Sequence, residues 1–249
     1  ELKDKFPQLN LSFSNKEFIS MKGRPEDEGL ISSNFPIMAK RVGVFMDKTE
    51  ESSETSILVG KLYWNYRIIK SSTDTYEIFE SPLPEKAPSR AYHKMEQVVR
   101  LFNLPLKKGE QVVEIGSAPG GISYYLMEIG LKLVTIDPAD FDPYVSSHYP
   151  DLFIHLKESV FDVNKDKLPR KCDWIVSDLN LAGDLNTNQV LRFLKFFPKT
   201  KAAFLTIKTP TDKEFLKIDK WKALFEKHSY KVQAFHLPSH RREIGMLVS

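Results

Sequence analysis

From residue 89 onward, short continuous apolar runs alternate with longer stretches in which apolar residues recur at helical spacing. Met95, Val98, Val99 and Phe102 make one face of a predicted helix, and Ser89 stands where a capping side chain belongs. Residues 111–115, 133–136, 152–155, 174–177 and 203–207 read as buried strands. A helix runs on from the first strand to about Glu128, and another over 188–197 is stopped by Pro198. Thr211 and Glu214 have capping-box spacing ahead of an apolar face of Phe215, Ile218, Trp221 and Phe225. Residues 230–235 and 244–248 form a final strand pair joined by a short turn, so one of the two runs antiparallel. Continuous apolar strands alternating with helices predict an α/β fold, a Rossmann-like sheet that is mostly parallel with one antiparallel strand.

The front of the chain reads differently. Residues 57–64 and 67–69 are rich in β-branched and aromatic residues, 75–79 resembles another strand, and 48–56 is a polar, acidic connection. Ser81-Pro82-Leu83-Pro84-Glu85-Lys86-Ala87-Pro88 carries three prolines in eight residues, which favours an extended linker. The expected organisation is a small α+β domain over 1–80, a proline-rich linker over 81–88 and the main domain over 89–249.

Composition adds boundaries. With 41% hydrophobic and 28% charged residues among 249, the chain has the make-up of a folded, water-soluble protein. No apolar run approaches the ~20 residues of a membrane span. Cys172 is the sole cysteine, which excludes an internal disulfide or a multi-cysteine zinc site and fits a reducing, cytoplasmic setting. The chain starts at Glu1 rather than Met, as a processed or trimmed start would. The net charge of +3 is unevenly spread: residues 1–88 carry 12 basic and 14 acidic residues, while 192–231 carry 11 and 4. Such an excess is either a solvated helical face or a footprint for a phosphate backbone.

Val112-Val113-Glu114-Ile115-Gly116-Ser117-Ala118-Pro119-Gly120-Gly121 places glycines where the first strand of the sheet gives way to a helix, the usual ligand position of such folds. The G-x-x-x-G-G spacing differs from that of dinucleotide binders and lacks the lysine of a phosphate-cradling loop. Pro119 also withholds an N–H that a pyrophosphate would use. A ligand without pyrophosphate is favoured, S-adenosylmethionine being the common one; the alternative is a turn that serves only strand–helix packing. Asp137 ends the second strand, where an acidic side chain accepts hydrogen bonds from ribose hydroxyls or, alternatively, makes a turn with Pro138.

Charged residues also stand at strand or helix ends that a buried pattern does not need: Asp178, Lys208, Glu243 and, beside the apolar stripe of the first helix, Lys94. Singly, each reads as a surface charge or a structural ion pair. Together they suit proton removal from a hydroxyl, because desolvation and a second ammonium would lower one amine's pKa.

At these positions the chain resembles the FtsJ-like (RrmJ-type) RNA 2′-O-methyltransferases. The shared stretches are Ala87–Glu96, Glu114–Gly121, Ser177-Asp178, Ile207-Lys208 and Arg242-Glu243-Ile244. The wording Ala-Pro-Ser-Arg ahead of the first helix is most similar to the RlmM-type cytidine 2′-O-methyltransferases of large-subunit ribosomal RNA. The resemblance implies a methyltransferase sheet, S-adenosyl-L-methionine as cofactor, RNA as partner, and Lys94, Asp178, Lys208 and Glu243 as a catalytic tetrad with Lys208 as base. It also implies cofactor contacts from Ala118, Pro119, Gly120 and Gly121 at the methionine end, Asp137 at the ribose and Asp178 near the methionine amino group. Ile122 stands where the family has an aromatic wall, Ser159 (with Glu158 beside it) where an aspartate bonds adenine, and Ala91 where a serine touches the cofactor.

RlmM-type enzymes carry an RNA-binding module in front, and residues 1–80 are expected to be a reduced one, although their negative charge argues against a strong electrostatic grip. Lys195, Lys199, Lys201, Arg241 and Arg242 are the candidate phosphate contacts. The six histidines are scattered without ligand spacing, so no metal site is expected. Two alternatives stay open: a relative that holds RNA or cofactor without turnover, and transfer to a tRNA or cap ribose.

Overall fold

A computed structural model describes residues 6–14, 19–33, 41–53, 56–71 and 81–249. The chain divides into two compact units, Glu1–Ile78 and Phe79–Ser249.

In the first unit, β1 (Asn10–Ser14) pairs antiparallel with β2 (Ile19–Lys22), and a short helix α1 (Asp27–Ser33) follows. Strands β3 (Arg41–Thr49), β4 (Ser56–Val59) and β5 (Leu62–Ser71) form an antiparallel sheet in the order β3-β5-β4. The apolar run over 57–64, expected as one strand, is a hairpin in which Val59 pairs with Leu62. Gly60 sits at φ +67° and turns the chain there, a conformation glycine adopts freely and other residues rarely do. The start of the expected acidic connection belongs to β3, and β5 absorbs residues 67–69. The strand expected over 75–79 lies outside the described residues.

The second unit begins with α2 (Ala91–Phe102), β6 (Gln111–Ile115), α3 (Gly121–Glu128), β7 (Lys132–Ile136), α4 (Pro143–His148) and β8 (Phe153–Leu156). It continues with β9 (Trp174–Ser177), α5 (Gly183–Phe196), β10 (Ala202–Lys208), α6 (Asp212–Phe215), α7 (Ile218–Glu226), β11 (Val232–Phe235) and β12 (Glu243–Val248). The seven strands are ordered β11-β12-β10-β9-β6-β7-β8, and β12 alone runs antiparallel to its neighbours. The α/β Rossmann-like sheet expected from the alternation is therefore present. Its central strands are apolar on both faces because helices cover both: Val112, Val113, Ile115, Ala203 and Leu205 are fully buried. Met95 and Val98 of α2 pack into the same core as Leu126, Val176 and Phe204.

Three local expectations are corrected, and one helix was not anticipated. Ser89 is not the cap of α2: Arg90 holds that position without a side-chain cap bond, and Ser89 Oγ accepts from the Ala91 N–H at 3.3 Å. Helix α5 starts at Gly183, ahead of the apolar pattern, because its polar first turns are buried with partners. There Asn186 bonds Ser177 Oγ at 2.7 Å and the Thr206 carbonyl at 2.8 Å, and the Thr187 hydroxyl donates to the Gly183 carbonyl at 2.8 Å. The capping box at Thr211 and Glu214 forms as expected, but the helix it opens is interrupted at Leu216 and Lys217 and becomes α6 and α7. Helix α4 had no apolar signature; Asp142 caps it through the Tyr144 and Val145 N–H groups, with Pro143 in the first turn.

Strand order reverses at β6, which has β7 on one side and β9 on the other. The crevice outside the carboxyl ends of β6 and β9 is where α/β sheets bind ligands.

Candidate active site

Three strands and one helix deliver four charged side chains to that crevice. The Asp178 N–H donates to the Ile115 carbonyl at 3.1 Å, which extends the sheet by one residue past β9 and holds Asp178 beside the end of β6. Lys208 is the last residue of β10 and pairs across the ladder with Glu243, the first of antiparallel β12. The reversal of β12 thus puts the start of one strand beside the end of another. Lys94 lies on the first turn of α2, next to the buried Met95, and is itself buried.

The four close into a ring of alternating charge. Lys94 Nζ lies 3.0 and 2.9 Å from the two Asp178 oxygens and 3.0 Å from Glu243 Oε1. Lys208 Nζ lies 3.1 Å from Asp178 Oδ1 and 2.6 Å from Glu243 Oε2. Two ammoniums and two carboxylates cancel, so the charges are buried without net cost in sign, and each carboxylate bridges both lysines. The Lys94 and Glu243 side chains are each 9% exposed, whereas Lys208 is 29% exposed and is the cation of the ring most open to solvent.

Burial pulls the Lys208 ammonium toward a lower pKa, but Asp178 and Glu243 outweigh it and hold it above the ordinary lysine value. For Glu243, burial pushes upward, and Lys94 and Lys208 overcome it, leaving the carboxyl below the ordinary range. The expectation that paired lysines would lower one amine is therefore reversed for Lys208 in this state. The physical reason is that it meets two carboxylates at hydrogen-bond distance.

The ring forms one side of a cleft of about 320 Å³ whose other side is the glycine turn, through Gly116, Ser117, Ala118, Pro119, Gly121 and Ile122. Gly116 has φ +74°, and a Cβ there would lie 2.8 Å from the Leu179 backbone. Gly120 has φ +110°, and a Cβ would meet the Phe141 ring at 2.5 Å. The chain's own packing thus already demands both glycines. Asp137 accepts from the Ala118 N–H at 3.1 Å and the Ala139 N–H at 2.8 Å, which ties the turn to the end of β7. Gly120, Asp137 and Ser159 do not line the cleft itself. Ser159 Oγ accepts from the Phe161 N–H at 3.2 Å, and Glu158 pairs with Lys167.

Sequence reasoning gave no role in the cleft to Ser89, Arg90, Glu114, Ser117 or Ser239, which line it. Ser117 Oγ is buried and has no hydrogen-bond partner among the described residues. Ser239 lines the cleft and bonds Gln97 through both its N–H and its hydroxyl. Glu114, on β6 beneath the turn, is 1% exposed. Its place in the strand ahead of Gly116 was the available signal, since a carboxyl has no packing reason to sit among Val112, Val113 and Ile115.

Burial pushes the Glu114 carboxyl up to about 8; the Ser123 hydroxyl bond opposes this, and Asp178 and Asp137 add to the rise. The folded protein thus keeps a proton that the unfolded chain releases near 4.5, so this group's contribution to stability falls as pH rises from about 4.5 to about 8, then stays level. Glu114→Gln keeps the acceptor for Ser123 and removes the titration. Thermal melts are expected to show the variant several degrees above wild type at pH 8.5 and level with it at pH 4.5. A constant difference between the two pH values would contradict a protonated Glu114.

The candidate phosphate contacts separate by position. Lys201 immediately precedes the seven-residue β10, and Lys208 ends it, so Lys201 lies about 20 Å from the ring. It is committed to an ion pair with Glu110. Lys195 and Lys199, in the last turn of α5 and just after it, lead into that same distant end. Arg241 and Arg242 are exposed and directly precede Glu243, at the cleft.

A model of the FtsJ-like methyltransferases matches residues 87–238. The chain belongs to the FtsJ-like methyltransferase family. Membership implies S-adenosylmethionine as methyl donor. The site fits it: the cleft is beside the turn, Pro119 withholds an N–H that a pyrophosphate would use, and the Ser117 hydroxyl, buried without a partner among the described residues, is a polar group left for a ligand. Ribosomal RNA large subunit methyltransferase M of Alkalilimnicola ehrlichii is 33% identical over 104 residues, which is 39% of this FtsJ-like chain and 27% of that protein. The protein of the same name from Haemophilus ducreyi is 24% identical over 250 residues, covering 94% of this chain and 65% of that one. The chain therefore spans between about a quarter and two thirds of these relatives' lengths. A crystal structure of a candidate hemolysin from Lactococcus lactis superposes with a TM-score of 0.56 at 14% identity, over 66% of this chain and 88% of that one, a likeness of fold. Among the described residues no helix is long and apolar enough to cross a membrane.

Proposed function

We propose that this FtsJ-like methyltransferase is an RNA ribose 2′-O-methyltransferase acting on large-subunit ribosomal RNA, with Lys94, Asp178, Lys208 and Glu243 as its catalytic residues. The observation that carries the reading is the closed ring of two lysines and two carboxylates beside the glycine turn. A ribose hydroxyl keeps its proton at neutral pH and needs a partner that removes it, whereas an unprotonated ring nitrogen such as adenine N1 or guanine N7 carries a free lone pair and needs none. A lysine held in place by two carboxylates suits the hydroxyl.

S-adenosylmethionine, when bound, supplies a methyl group already activated by its sulfonium. The backbone from Ser117 to Gly121, with Ser117 Oγ, would hold its amino-acid end; Asp137 would hold its ribose, and Asp178 its amino group. Ile122 would supply apolar contact, and Ser159 a polar contact toward the adenine. Lys208 Nζ faces the cleft and, in its neutral amine form, would receive the 2′-OH proton, while Asp178 and Glu243 keep it at one position. Lys94 holds the same two carboxylates from the buried side, so the ring keeps its shape as Lys208 exchanges its proton. Alignment of oxygen, carbon and sulfur then supplies much of the rate.

The first test is transfer of tritiated methyl from S-adenosylmethionine to total RNA, alongside calorimetric titration of the cofactor. Label in the ribosomal RNA fraction is expected. Cofactor binding with no label in any RNA would instead make the chain a binding relative without turnover. Asp137→Ala is expected to weaken cofactor binding by roughly tenfold or more, through lost bonds to the ribose and to the Ala118 N–H. An unchanged Kd would remove Asp137 from the cofactor site.

A further inference from the structure

We propose that Gln97 is a positioning residue of the ring: by holding Ser239 it fixes the loop between β11 and β12 against α2, so that Glu243 meets both lysines. This role rests on the catalytic reading proposed above and adds a residue outside the four.

Glu243 opens β12 and follows directly on the loop of residues 236–242. On the β10 side the end of that loop is set by the sheet. Lys208 pairs with Glu243 across the ladder, and the Thr209 N–H donates to the Arg242 carbonyl at 2.8 Å. Those bonds place Glu243 relative to Lys208. They do nothing for Lys94, which arrives on a helix and not on the sheet.

Gln97 supplies the link to α2. It stands three residues after Lys94, on the same side of the helix, and is 3% exposed. Packing beside Met95 and Val98 alone would call for an apolar residue, because a buried amide is costly unless it is bonded. Its Oε1 accepts from the Ser239 N–H at 3.1 Å and from the Ser239 hydroxyl at 2.7 Å. Ser239 lines the cleft four residues ahead of Glu243.

The turn that carries Ser239 is closed on itself. The Leu237 N–H donates to His240 Nδ1 at 3.2 Å, and the His240 N–H donates to the Leu237 carbonyl at 3.0 Å. Both residues are buried. Burial, with His236 and the two lysines, holds His240 well below the ordinary histidine value, so its Nδ1 stays an acceptor at neutral pH. The loop is thus tied to α2 at Ser239 and to β10 at Arg242, and these are the two elements that bring the lysines. The other end of α2 rests on β11, where Phe102 meets Phe235 at 4.8 Å. Glu243 Oε2 is 2.6 Å from Lys208 Nζ, so a loop shift of about 1 Å would carry it out of hydrogen-bond range.

The test measures transfer of tritiated methyl from S-adenosylmethionine to ribosomal RNA by the whole chain. Gln97→Leu keeps most of the side-chain size and removes the acceptor. Its kcat is expected to fall by about tenfold to a hundredfold, as misplacing a reacting group by about 1 Å does, with KM for RNA and cofactor Kd within about twofold. Ser239→Ala keeps the N–H bond and is expected to lose less. In the double variant the losses are expected not to multiply, because the two residues act as one tie. Gln97→Glu, with an oxygen at the same reach, is expected to recover most of the lost kcat. A normal kcat in Gln97→Leu would overturn the proposal, as would a loss that Gln97→Glu does not recover or one that falls on KM or cofactor Kd instead. Should Gln97→Leu not fold, Ser239→Ala carries the test, and an unchanged kcat there overturns the role. Lys208→Ala is the control: if it keeps turnover, or wild type labels no RNA, the catalytic assignment fails and the positioning role falls with it.

Discussion

Lys208→Ala is expected to abolish methyl transfer, with kcat reduced by about 10³ or more, while cofactor Kd stays within about twofold of wild type. The residue ends β10, faces the cleft and is the most exposed member of the ring, so its removal takes away a proton acceptor without emptying the core. Asp178 and Glu243 keep Lys94 as a partner at 3.0 Å or less, which preserves the rest of the ring. Its pKa gives the same residue a second signature. Because the two carboxylates hold Lys208 above the ordinary 10.5, the free enzyme carries little neutral amine at pH 7. The ratio kcat/KM is therefore expected to climb with pH through pH 9 without levelling, since this ratio reports groups of the free enzyme. A plateau below pH 8, or retention of a tenth of wild-type turnover by Lys208→Ala, would take the proton-accepting role from this lysine.

Lys94→Met is expected to lower the unfolding free energy of the second unit by about 3–5 kcal/mol, the usual effect of removing one partner from buried charges. Lys94 is the deep cation of the ring, and without it Asp178 and Glu243 are left with one partially exposed ammonium between them. Methionine keeps most of the side-chain volume, so the loss reports charge rather than a cavity. Urea unfolding followed through Trp174 and Trp221, which are both buried in this unit, measures it. The cost is large against a typical domain stability of about 5–15 kcal/mol. Lys208→Ala, with its more exposed amine, is expected to cost less. A loss below about 1 kcal/mol for Lys94→Met would show that the ring contributes no more than a surface ion pair.

The stability of the ring also has a pH window. Glu243 is lowered from 4.5 and Lys208 raised from 10.5, so their contribution is present between those values. It is lost in acid as pH falls through the lowered Glu243 value, and in alkali as pH rises through the raised Lys208 value.

The central sheet was legible because β6, β9 and β10 are covered on both faces and so appear as unbroken apolar runs. The quartet was legible for the complementary reason: Asp178, Lys208 and Glu243 interrupt that pattern at its ends. The start of α5 was not, because Asn186 and Thr187 are buried through hydrogen bonds to Ser177, Thr206 and Gly183, and hydropathy records no partners. The hairpin at Gly60 was hidden inside one apolar run, since both arms carry the same residue types. The charge state of Lys208 was also beyond sequence reasoning. Four charged residues at four positions do not reveal whether an amine meets another amine or two carboxylates; that depends on the pairing of Lys208 with Glu243 across β10 and β12.

Alkaline hydrolysis of RNA labelled by the wild-type chain with tritiated S-adenosylmethionine addresses the ring's proposed chemistry directly. A methylated 2′-oxygen cannot attack its neighbouring phosphate, so label is expected in alkali-resistant dinucleotides. Label recovered in mononucleotides would place the methyl group on a base and contradict a ring built to deprotonate ribose.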